Sequence, residues 1–376
     1  MAKLFTAAKV GAFELKHRVA LAPMTRLRTI QPGDIPSPMM ADFYGQRASA
    51  GGLEIIEAAS ISIQARSYLG AASIYHDGQH DGWKAIADAV HAKGGVAILQ
   101  LIHGGRQSHV EVAGGAYPVA PSVVPFEGVA LTKDGFVPVS PHRALEIEEI
   151  ADIVESFRVA AQRAKKAGFD GVELHAANGY LVDQFIQDGT NRRTDAYGGP
   201  VENRVRFLRE ALEALISVYG AERVGVRISP SGEWGGISDS NPEATFSHVA
   251  KVLDSYGIAY LHVIEPRVKG DDTLHEGHPA VAVSYLRPHF TGPIIAAGGF
   301  DRESAIAIVE SGDADLVAFG RHFSSNPDLP HRLEHDLPLT PYVRAAFRGG
   351  TEASYSDFPT YAEQRAEQEE ATEDIA

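Results

Sequence analysis

Eight short apolar runs, separated by stretches of helical character, most constrain how this chain of 376 residues can fold. Each run is five to nine residues long. Their nearly continuous hydrophobicity is typical of parallel strands that are covered on both faces. The runs lie at residues 18–22, 53–61, 96–103, 171–177, 223–229, 260–266, 293–299 and 316–321.

The stretches between these runs carry the signals of helices. Asn241-Pro242 and Asp301 stand where two helices would begin, and Gly168 and Gly220 follow the ends of two others. Eight strands that alternate with helices predict a single (β/α)8 barrel, or TIM barrel, of the α/β class. The helices are predicted at residues 78–93, 145–168, 200–219, 242–257 and 302–312.

Further segments are predicted around this barrel. Residues 4–17 alternate around Gly11, which predicts an N-terminal β-hairpin that closes the bottom of the barrel. Residues 104–143 are rich in glycine and proline and too long for a plain connection, so we expect an ordered lid after the third strand. Residues 1–361 would form one domain, and residues 362–376 an acidic C-terminal tail, either a solvated helix end or disordered.

Charge and composition exclude several classes of function. The 34 basic and 49 acidic residues give a net charge of −15, which argues against nucleic acid or an anionic membrane as a partner. It also disfavours a large anionic substrate, unless basic side chains gather locally. The absence of cysteine excludes disulfides, thiolate nucleophiles, iron–sulfur clusters and Cys-ligated zinc. No run resembles a signal peptide or a membrane span, so we expect a cytoplasmic protein, with monomer and homodimer both open.

Active sites of (β/α)8 barrels lie at the carboxyl ends of the strands, where this chain has an unusual arginine. Arg227 stands between Val226 and Ile228 in the fifth run. A buried guanidinium stays charged and therefore needs an anion. Two interpretations remain open: a structural ion pair with Glu57 or Glu173, or a bound anionic group.

The fourth run ends in a polar cluster, because His175, Asn178 and Tyr180 lie within six residues. Taken singly, each is explained as a residue that caps a turn or satisfies a backbone group. Their significance therefore depends on the other strand ends, two of which carry the polar residues Thr25 and Gln100.

The seventh and eighth runs end in a pattern that is typical of phosphate binding. Gly298 and Gly299 directly precede a predicted helix, and Gly320 and Arg321 end the last run. Glycine amides at a helix N-terminus point towards phosphate oxygens, and such a site recurs in barrel enzymes.

Other chemistries find less support at the strand ends. No lysine there could form a Schiff base. His103, His175 and His262 lie on three strands, but no strand-end carboxylate completes a ligand set, so we expect no metal. A sugar-phosphate isomerase or a non-catalytic binding module stays open at this point, although neither explains Arg227 and Gln100.

Several motifs together resemble those of the Old Yellow Enzyme family, the FMN-dependent ene-reductases. The resemblance rests on APMTR, HAANGYLVDQF, NRRTDAYGG, AAGGF and YSDFPTY, and it extends from about Lys3 to Tyr361. It implies a barrel that binds FMN and that takes hydride from NADPH or NADH. The implied substrates are small activated alkenes, namely α,β-unsaturated carbonyl compounds or nitroalkenes.

The resemblance also assigns roles to the strand-end residues. The Thr25 hydroxyl would lie near flavin O4, Gln100 at the pyrimidine edge, and Arg227 near N1 and O2, where reduced flavin carries negative charge. The glycines and Arg321 would hold the phosphate. The implied cofactor-binding residues are Pro23, Met24, Thr25, Ala58, Gln100, Arg227, Gly298, Gly299, Gly320 and Arg321.

On the substrate side, the resemblance implies that His175 and Asn178 donate hydrogen bonds to the carbonyl oxygen. Tyr180 would then give a proton to the α-carbon. Ile102 stands where many members have tryptophan, and Asn178 where some have a second histidine. The implied lining of the substrate side comprises Tyr68, Ile102 and Tyr355.

Overall fold

A closed barrel of eight parallel strands is the central element of the computed structural model, which describes residues 1–267 and 281–373. The barrel strands β3, β4, β5 and β10–β14 follow one another in chain order, so the predicted (β/α)8 barrel is confirmed. The strands are β1 (Ala8–Val10), β2 (Phe13–Leu15), β3 (Val19–Leu21), β4 (Leu53–Ser60), β5 (Val96–Ile102), β6 (Val119–Ala120), β7 (Val129–Thr132), β8 (Gly135–Pro138), β9 (Arg143–Ala144), β10 (Gly171–Ala176), β11 (Val224–Ile228), β12 (Tyr260–Ile264), β13 (Ile294–Ala297) and β14 (Leu316–Phe319).

Helices occupy all five predicted stretches, although the stretch 200–219 is divided at Val205 into α5 and α6. Asn241 caps α7 by accepting a hydrogen bond from Ala244 N, at 3.2 Å. The helices are α1 (Pro38–Arg47), α2 (His80–His91), α3 (Ile147–Ala167), α4 (Leu181–Ile186), α5 (Val201–Arg204), α6 (Arg206–Tyr219), α7 (Pro242–Asp254), α8 (Val283–Leu286), α9 (Arg302–Ser311), α10 (Arg321–Ser325), α11 (Leu329–Glu334) and α12 (Tyr361–Glu373).

Apolar side chains form two layers, one on each face of the barrel wall. The larger layer lies between the strands and the outer helices and includes Trp83, which is fully buried. The smaller layer fills the inside of the barrel towards its N-terminal end, where Ile98, Ile295 and Leu316 meet. Because both faces are covered, nearly every residue of the barrel strands is buried, as their continuous hydrophobicity predicts.

The N-terminal end of the barrel is covered by the antiparallel pair β1–β2. The hairpin turns at Gly11, whose φ is 57°, and Ala12 N donates a hydrogen bond of 2.9 Å to Glu222 O just before β11. Phe13 belongs to the apolar cluster inside the barrel. The carboxyl ends of the strands are therefore left as the open side.

The stretch between β5 and α3, which includes the predicted excursion 104–143, contains two small sheets. Strand β6 pairs in parallel with β9, and β7 pairs with β8 in an antiparallel hairpin. Leu69 N donates a hydrogen bond of 2.8 Å to Leu131 O, which ties this hairpin to the loop after β4.

The C-terminal segment ends in α12, whose side chains are mostly exposed up to residue 371. The predicted acidic tail, residues 362–376, is therefore helical over most of its length, and residues 374–376 lie outside the described part of the chain. Among the described helices, none is long and apolar enough to cross a membrane.

Gly11→Ala is expected to lower the free energy of unfolding by roughly 2–5 kcal/mol, from left-handed strain and overpacking together. A Cβ at this position would lie 2.2 Å from Glu222 O. Gly257 has a similar φ of 62° but no atom within 4 Å of an added Cβ, so Gly257→Ala should cost only about 1–2 kcal/mol. Urea denaturation of both variants measures the difference, and equal losses would contradict the steric contact.

Candidate active site

A cavity of about 470 Å³ opens at the carboxyl ends of the barrel strands. It collects residues from the ends of all eight barrel strands as well as from later loops, and it contains all but one of the predicted site residues. The predicted residues that line it are Pro23, Met24, Thr25, Ala58, Tyr68, Gln100, Ile102, His175, Asn178, Tyr180, Arg227, Gly298, Gly299, Gly320 and Arg321.

Strand register places the polar side chains of the cavity floor beside one another. His175 on β10 pairs with Arg227 on β11, which pairs in turn with His262 on β12. One step deeper, Glu173 on β10 pairs with Gln100 on β5. Residues two apart on a strand point to the same side, so Glu173 lies below His175 in the same inward row.

Arg227 has no ion-pair partner among the described residues, which decides between its two interpretations. Glu57 accepts hydrogen bonds from the Tyr44 hydroxyl and from Arg26 N, and Glu173 is bonded to other side chains. Burial lowers the pKa of Arg227, although the charge of Glu173 opposes this shift, and its Nε is buried without a partner. The guanidinium therefore faces the cavity with capacity for a bound anionic group.

His175 presents an N–H group to the cavity. Its Nδ1 accepts a hydrogen bond of 3.3 Å from Ala177 N. Burial and the positive charge of Arg227 hold the pKa of His175 well below 6.5, so the ring is neutral at physiological pH. Because a neutral imidazole carries one proton, that proton is on Nε2.

The loop after β10 fixes Asn178 in a left-handed conformation, with φ at 57°. Asparagine tolerates this region better than most residues. Its N–H donates to the Ser229 hydroxyl at 2.7 Å, and its carbonyl accepts from Gln107 at 2.7 Å. The next N–H, of Gly179, donates to the Asp183 carboxylate at 2.8 Å. With its backbone held on both sides, the Asn178 side chain is directed into the cavity beside His175.

Tyr180 lies against His175, with the two ring centroids 5.0 Å apart and the planes nearly perpendicular. Burial, followed by the Tyr68 phenol, raises the pKa of Tyr180 well above 10. The phenol therefore keeps its proton across the physiological range. An imidazole N–H, an amide and a protonated phenol converge on one wall, which suits the binding and protonation of an oxygen-bearing substrate.

The opposite side of the cavity is built from the loops after β13 and β14. Gly298 and Gly299 have φ values of 113° and 69°. A Cβ on Gly320 would lie 2.7 Å from Met24 Sδ, so a side chain at this position would displace the Met24 side chain. Bare backbone beside the Arg321 guanidinium is the arrangement that phosphate groups prefer in barrels.

Sequence reasoning missed four cavity residues far beyond the last barrel strand, although it predicted Gly320 and Arg321 directly after that strand. The segment 342–358 crosses the open end of the barrel and contributes Tyr342, Arg344, Phe347 and Arg348. Nothing in its sequence has strand or helix periodicity, so no pattern placed it there. Trp234, after β11, was also missed, although an aromatic residue shortly after a strand end could have been noticed.

Two buried arginines near β3 hold this segment in place. Arg26 Nε donates to Phe347 O and Arg28 Nη2 donates to Ala346 O, both at 3.0 Å. In return, Gly349 N donates to Arg26 O at 2.8 Å.

The segment also contacts the hairpin β7–β8. The guanidinium of Arg348 lies 5.7 Å from the ring centroid of Phe136 on β8. The hairpin β7–β8 therefore contacts the C-terminal segment at a residue that lines the cavity.

Tyr355 is the one predicted site residue that does not line the cavity. Its ring is fully buried, stacks on Phe43 at 4.3 Å between centroids, and lies 4.0 Å below the Arg28 guanidinium. Its carbonyl accepts a hydrogen bond of 3.1 Å from Arg47. The expected substrate contact is therefore corrected to a packing role, because arginines and the ring of Phe43 enclose Tyr355 away from the cavity.

Comparison with known proteins identifies the family. The sequence model of the NADH:flavin oxidoreductase / NADH oxidase family matches residues 3–340. The chain is 43% identical to 12-oxophytodienoate reductase 1 of Oryza sativa subsp. japonica, over 95% of this chain and 92% of that protein. The chain belongs to the Old Yellow Enzyme family. It is therefore an oxidoreductase that depends on FMN, and the general reaction of the family is ene-reduction.

Solved structures of Old Yellow Enzyme relatives share the fold. Morphinone reductase in complex with tetrahydroNAD is 46% identical, with a TM-score of 0.87, over 95% of this chain and 97% of that one. The homologue from Zymomonas mobilis is 42% identical, with a TM-score of 0.91, over 95% of this chain and 99% of that one.

The residues of the cavity fit FMN. Five arginines and one acidic residue, Asp301, are among the described residues that line it, so its charge suits a phosphate and a ring that becomes negative on reduction. The unpartnered Nε of Arg227 and the bare backbone at Gly298 and Gly299 supply two places for anionic groups.

Tyr355→Phe should change the free energy of unfolding by less than about 1 kcal/mol, because the buried hydroxyl has no hydrogen-bond partner among the described residues. Tyr355→Ala should cost about 3–5 kcal/mol, because the stack on Phe43 and the arginines is lost. Denaturant unfolding of the FMN-loaded protein compares the two variants. Equal destabilisation would show that the hydroxyl, rather than the ring, holds the segment.

Proposed function

We propose that this protein is an NADPH- or NADH-dependent ene-reductase that reduces the C=C bond of α,β-unsaturated carbonyl compounds or nitroalkenes. The observation that carries the proposal is the wall on which the His175 N–H, the Asn178 amide and the Tyr180 phenol converge. Family membership supports the reaction class, and this wall supports the substrate class. Its donors match one carbonyl or nitro oxygen, and its phenol can supply a proton.

The cofactor would occupy the floor and the far side of the cavity. When bound, FMN accepts a hydride from the coenzyme and passes a hydride to the β-carbon of the alkene. Thr25 and Gln100 would hydrogen-bond to the flavin, and Arg227 would stabilise the negative charge that reduction adds. Pro23, Met24 and Ala58 would pack along the flavin, and Gly298, Gly299, Gly320 and Arg321 would hold the phosphate.

His175 and Asn178 would bind and polarise the substrate oxygen. Negative charge grows on this oxygen as the β-carbon receives hydride, and fixed donors stabilise it most where water is excluded. Because His175 is neutral, it would act as a hydrogen-bond donor without giving up a proton.

Tyr180 would complete the reaction by protonating the α-carbon. Its high pKa keeps the phenol protonated before the reaction, and an enolate carbon is basic enough to take the proton. Tyr68 lies close enough to influence this pKa and would border the same substrate.

Ile102 would set the size of the substrate pocket. It follows Gln100 by two residues on β5, so both side chains point to the same side, and both line the cavity. Isoleucine leaves space that tryptophan would fill, which favours bulky β-substituted enones.

A nicotinamide coenzyme would enter the same cavity before the alkene. The complex of morphinone reductase with tetrahydroNAD, at 46% identity, supports this assignment. Anaerobic addition of NADH or NADPH should bleach the flavin absorbance near ~450 nm, and cyclohexenone should restore it. Bleaching that enones and nitroalkenes fail to reverse would overturn the proposed substrate class.

His175→Ala combined with Asn178→Ala should abolish binding of phenols as phenolates to the oxidised protein, because both donors to the oxygen are lost. Binding is measured by the long-wavelength charge-transfer absorbance that a phenolate gives on flavin. Each single variant should weaken binding by roughly tenfold or more, since a hydrogen bond to a charged group contributes about 1.5–3 kcal/mol. An unchanged band in the double variant would place the oxygen elsewhere.

Tyr180→Phe should slow reoxidation by an enone by about 10²–10⁴-fold, the usual contribution of a positioned acid. Reduction by the coenzyme should stay nearly unchanged, because hydride transfer to flavin needs no phenol. Stopped-flow absorbance measures the two half-reactions separately, with Tyr355→Phe as the matched control. Equal losses in both half-reactions would make Tyr180 a structural residue.

A further inference from the structure

A buried carboxylate lies directly behind the cavity floor and has no role in the proposed reaction. Glu173 is fully buried and accepts hydrogen bonds from Gln100 Nε2 at 2.6 Å and from His262 Nδ1 at 2.8 Å. It does not line the cavity, whereas Gln100 and Arg227 do. Glu173 can therefore influence a bound cofactor only through these neighbours and through its charge.

The charge states of Glu173 and His262 follow from their contacts. Burial alone would raise the pKa of Glu173, but His262, Arg227 and Gln100 outweigh it and hold the pKa below 4.5. Burial lowers the pKa of His262 despite the adjacent carboxylate. Glu173 is therefore an anion, His262 is neutral, and its Nδ1 carries the proton donated to Glu173.

The anion has two effects on the cavity floor. Glu173 accepts a hydrogen bond from Gln100 Nε2. The side-chain amide of Gln100 therefore cannot flip, exchanging its nitrogen and oxygen, without losing this hydrogen bond. Glu173 also balances the charge of Arg227, whose pKa it raises, although the two side chains form no ion pair. In a dry interior, a fixed charge of this kind acts over several ångströms.

We propose that Glu173 is a positioning residue that lowers the reduction potential of bound FMN and orients Gln100 towards it. The inference rests on the proposed placement of FMN against Gln100 and Arg227. Reduction adds negative charge to the flavin, and a carboxylate behind the floor opposes that charge. Arg227 stabilises the same negative charge. The reduction potential of FMN therefore depends on the opposing effects of Glu173 and Arg227.

Glu173→Gln tests the charge, because it keeps the size of the side chain and an oxygen acceptor. The midpoint potential of the FMN-loaded protein should become more positive by about 30 mV or more, which is a tenfold change for a two-electron couple. Arg227→Met should shift it in the opposite direction. Both shifts are measured by equilibrium titration of the flavin absorbance against a reference dye.

Glu54→Gln is the matched control. Glu54 is another buried strand glutamate that does not line the cavity, and burial raises its pKa to about 8, so it is neutral at pH 7. Its substitution removes no charge and should leave the potential unchanged. Equal potentials in Glu173→Gln and Glu54→Gln would overturn the effect of charge.

Glu173→Asp tests the positioning, because it keeps the charge and withdraws the carboxylate by one methylene. The potential should change little, but FMN should dissociate at least tenfold more readily as Gln100 loses its partner. Ultrafiltration of the diluted FMN-loaded protein measures the FMN that is released. Retention equal to that of the unsubstituted protein would overturn the positioning role.

Two outcomes separate this inference from the proposed function. If the unsubstituted protein holds no FMN, the proposed function fails. If it holds FMN but the Glu173 variants behave like Glu54→Gln, the inference fails and the proposed function stands.

Should Glu173→Gln not fold, as judged by circular dichroism, His262→Leu tests the charge of Glu173 through its hydrogen-bond donor. Loss of this donor lets burial raise the pKa of Glu173, so the carboxylate should take up a proton and the potential should rise; an unchanged potential would overturn the effect of charge.

Discussion

The register between neighbouring barrel strands is the constraint on which the site depends. Side chains alternate across a strand with a period of two, so a slip of one residue would turn a whole row from the inside of the barrel to the outside. In the observed register, His175 lies beside Arg227 and Glu173 beside Gln100. A slip at β10 alone would point an imidazole and a carboxylate into the apolar layer under the helices. The polar row therefore disfavours the wrong register, in addition to the apolar core, which favours the right one.

Residues close to strand ends could be predicted from the sequence, because a closed parallel barrel brings all of its carboxyl ends together whatever the loops do. This covers His175, Asn178, Gln100 and Arg227. Tyr355 could not be placed, because its position depends on arginines from the loop after β3 and from α1 that bind backbone carbonyls. Any residue can supply a carbonyl, so such contacts leave no pattern in the sequence. For the same reason, the contributions of the segment 342–358 were missed.

Pairing within the barrel was also only partly predictable. The sequence offered Glu57 and Glu173 as partners for Arg227, and the structure gives both of them to other donors. The choice depends on distances across the barrel, which are set by side-chain length and strand tilt. The overall charge of −15 likewise did not indicate that arginines are the main charged residues of the cavity, because composition carries no information on where charged side chains lie.

The contact between Arg348 and Phe136 joins two segments that are more than two hundred residues apart in the chain. Each belongs to a loop region that tolerates change in length and sequence more easily than the barrel does. Here, however, they contact each other at Arg348, which lines the cavity. Chimeras that receive the β7–β8 hairpin of a relative would therefore combine surfaces that were shaped separately, unless the C-terminal segment of the same relative is transferred with it. To alter this side of the cavity, the β7–β8 hairpin and the segment 342–358 therefore have to be exchanged together.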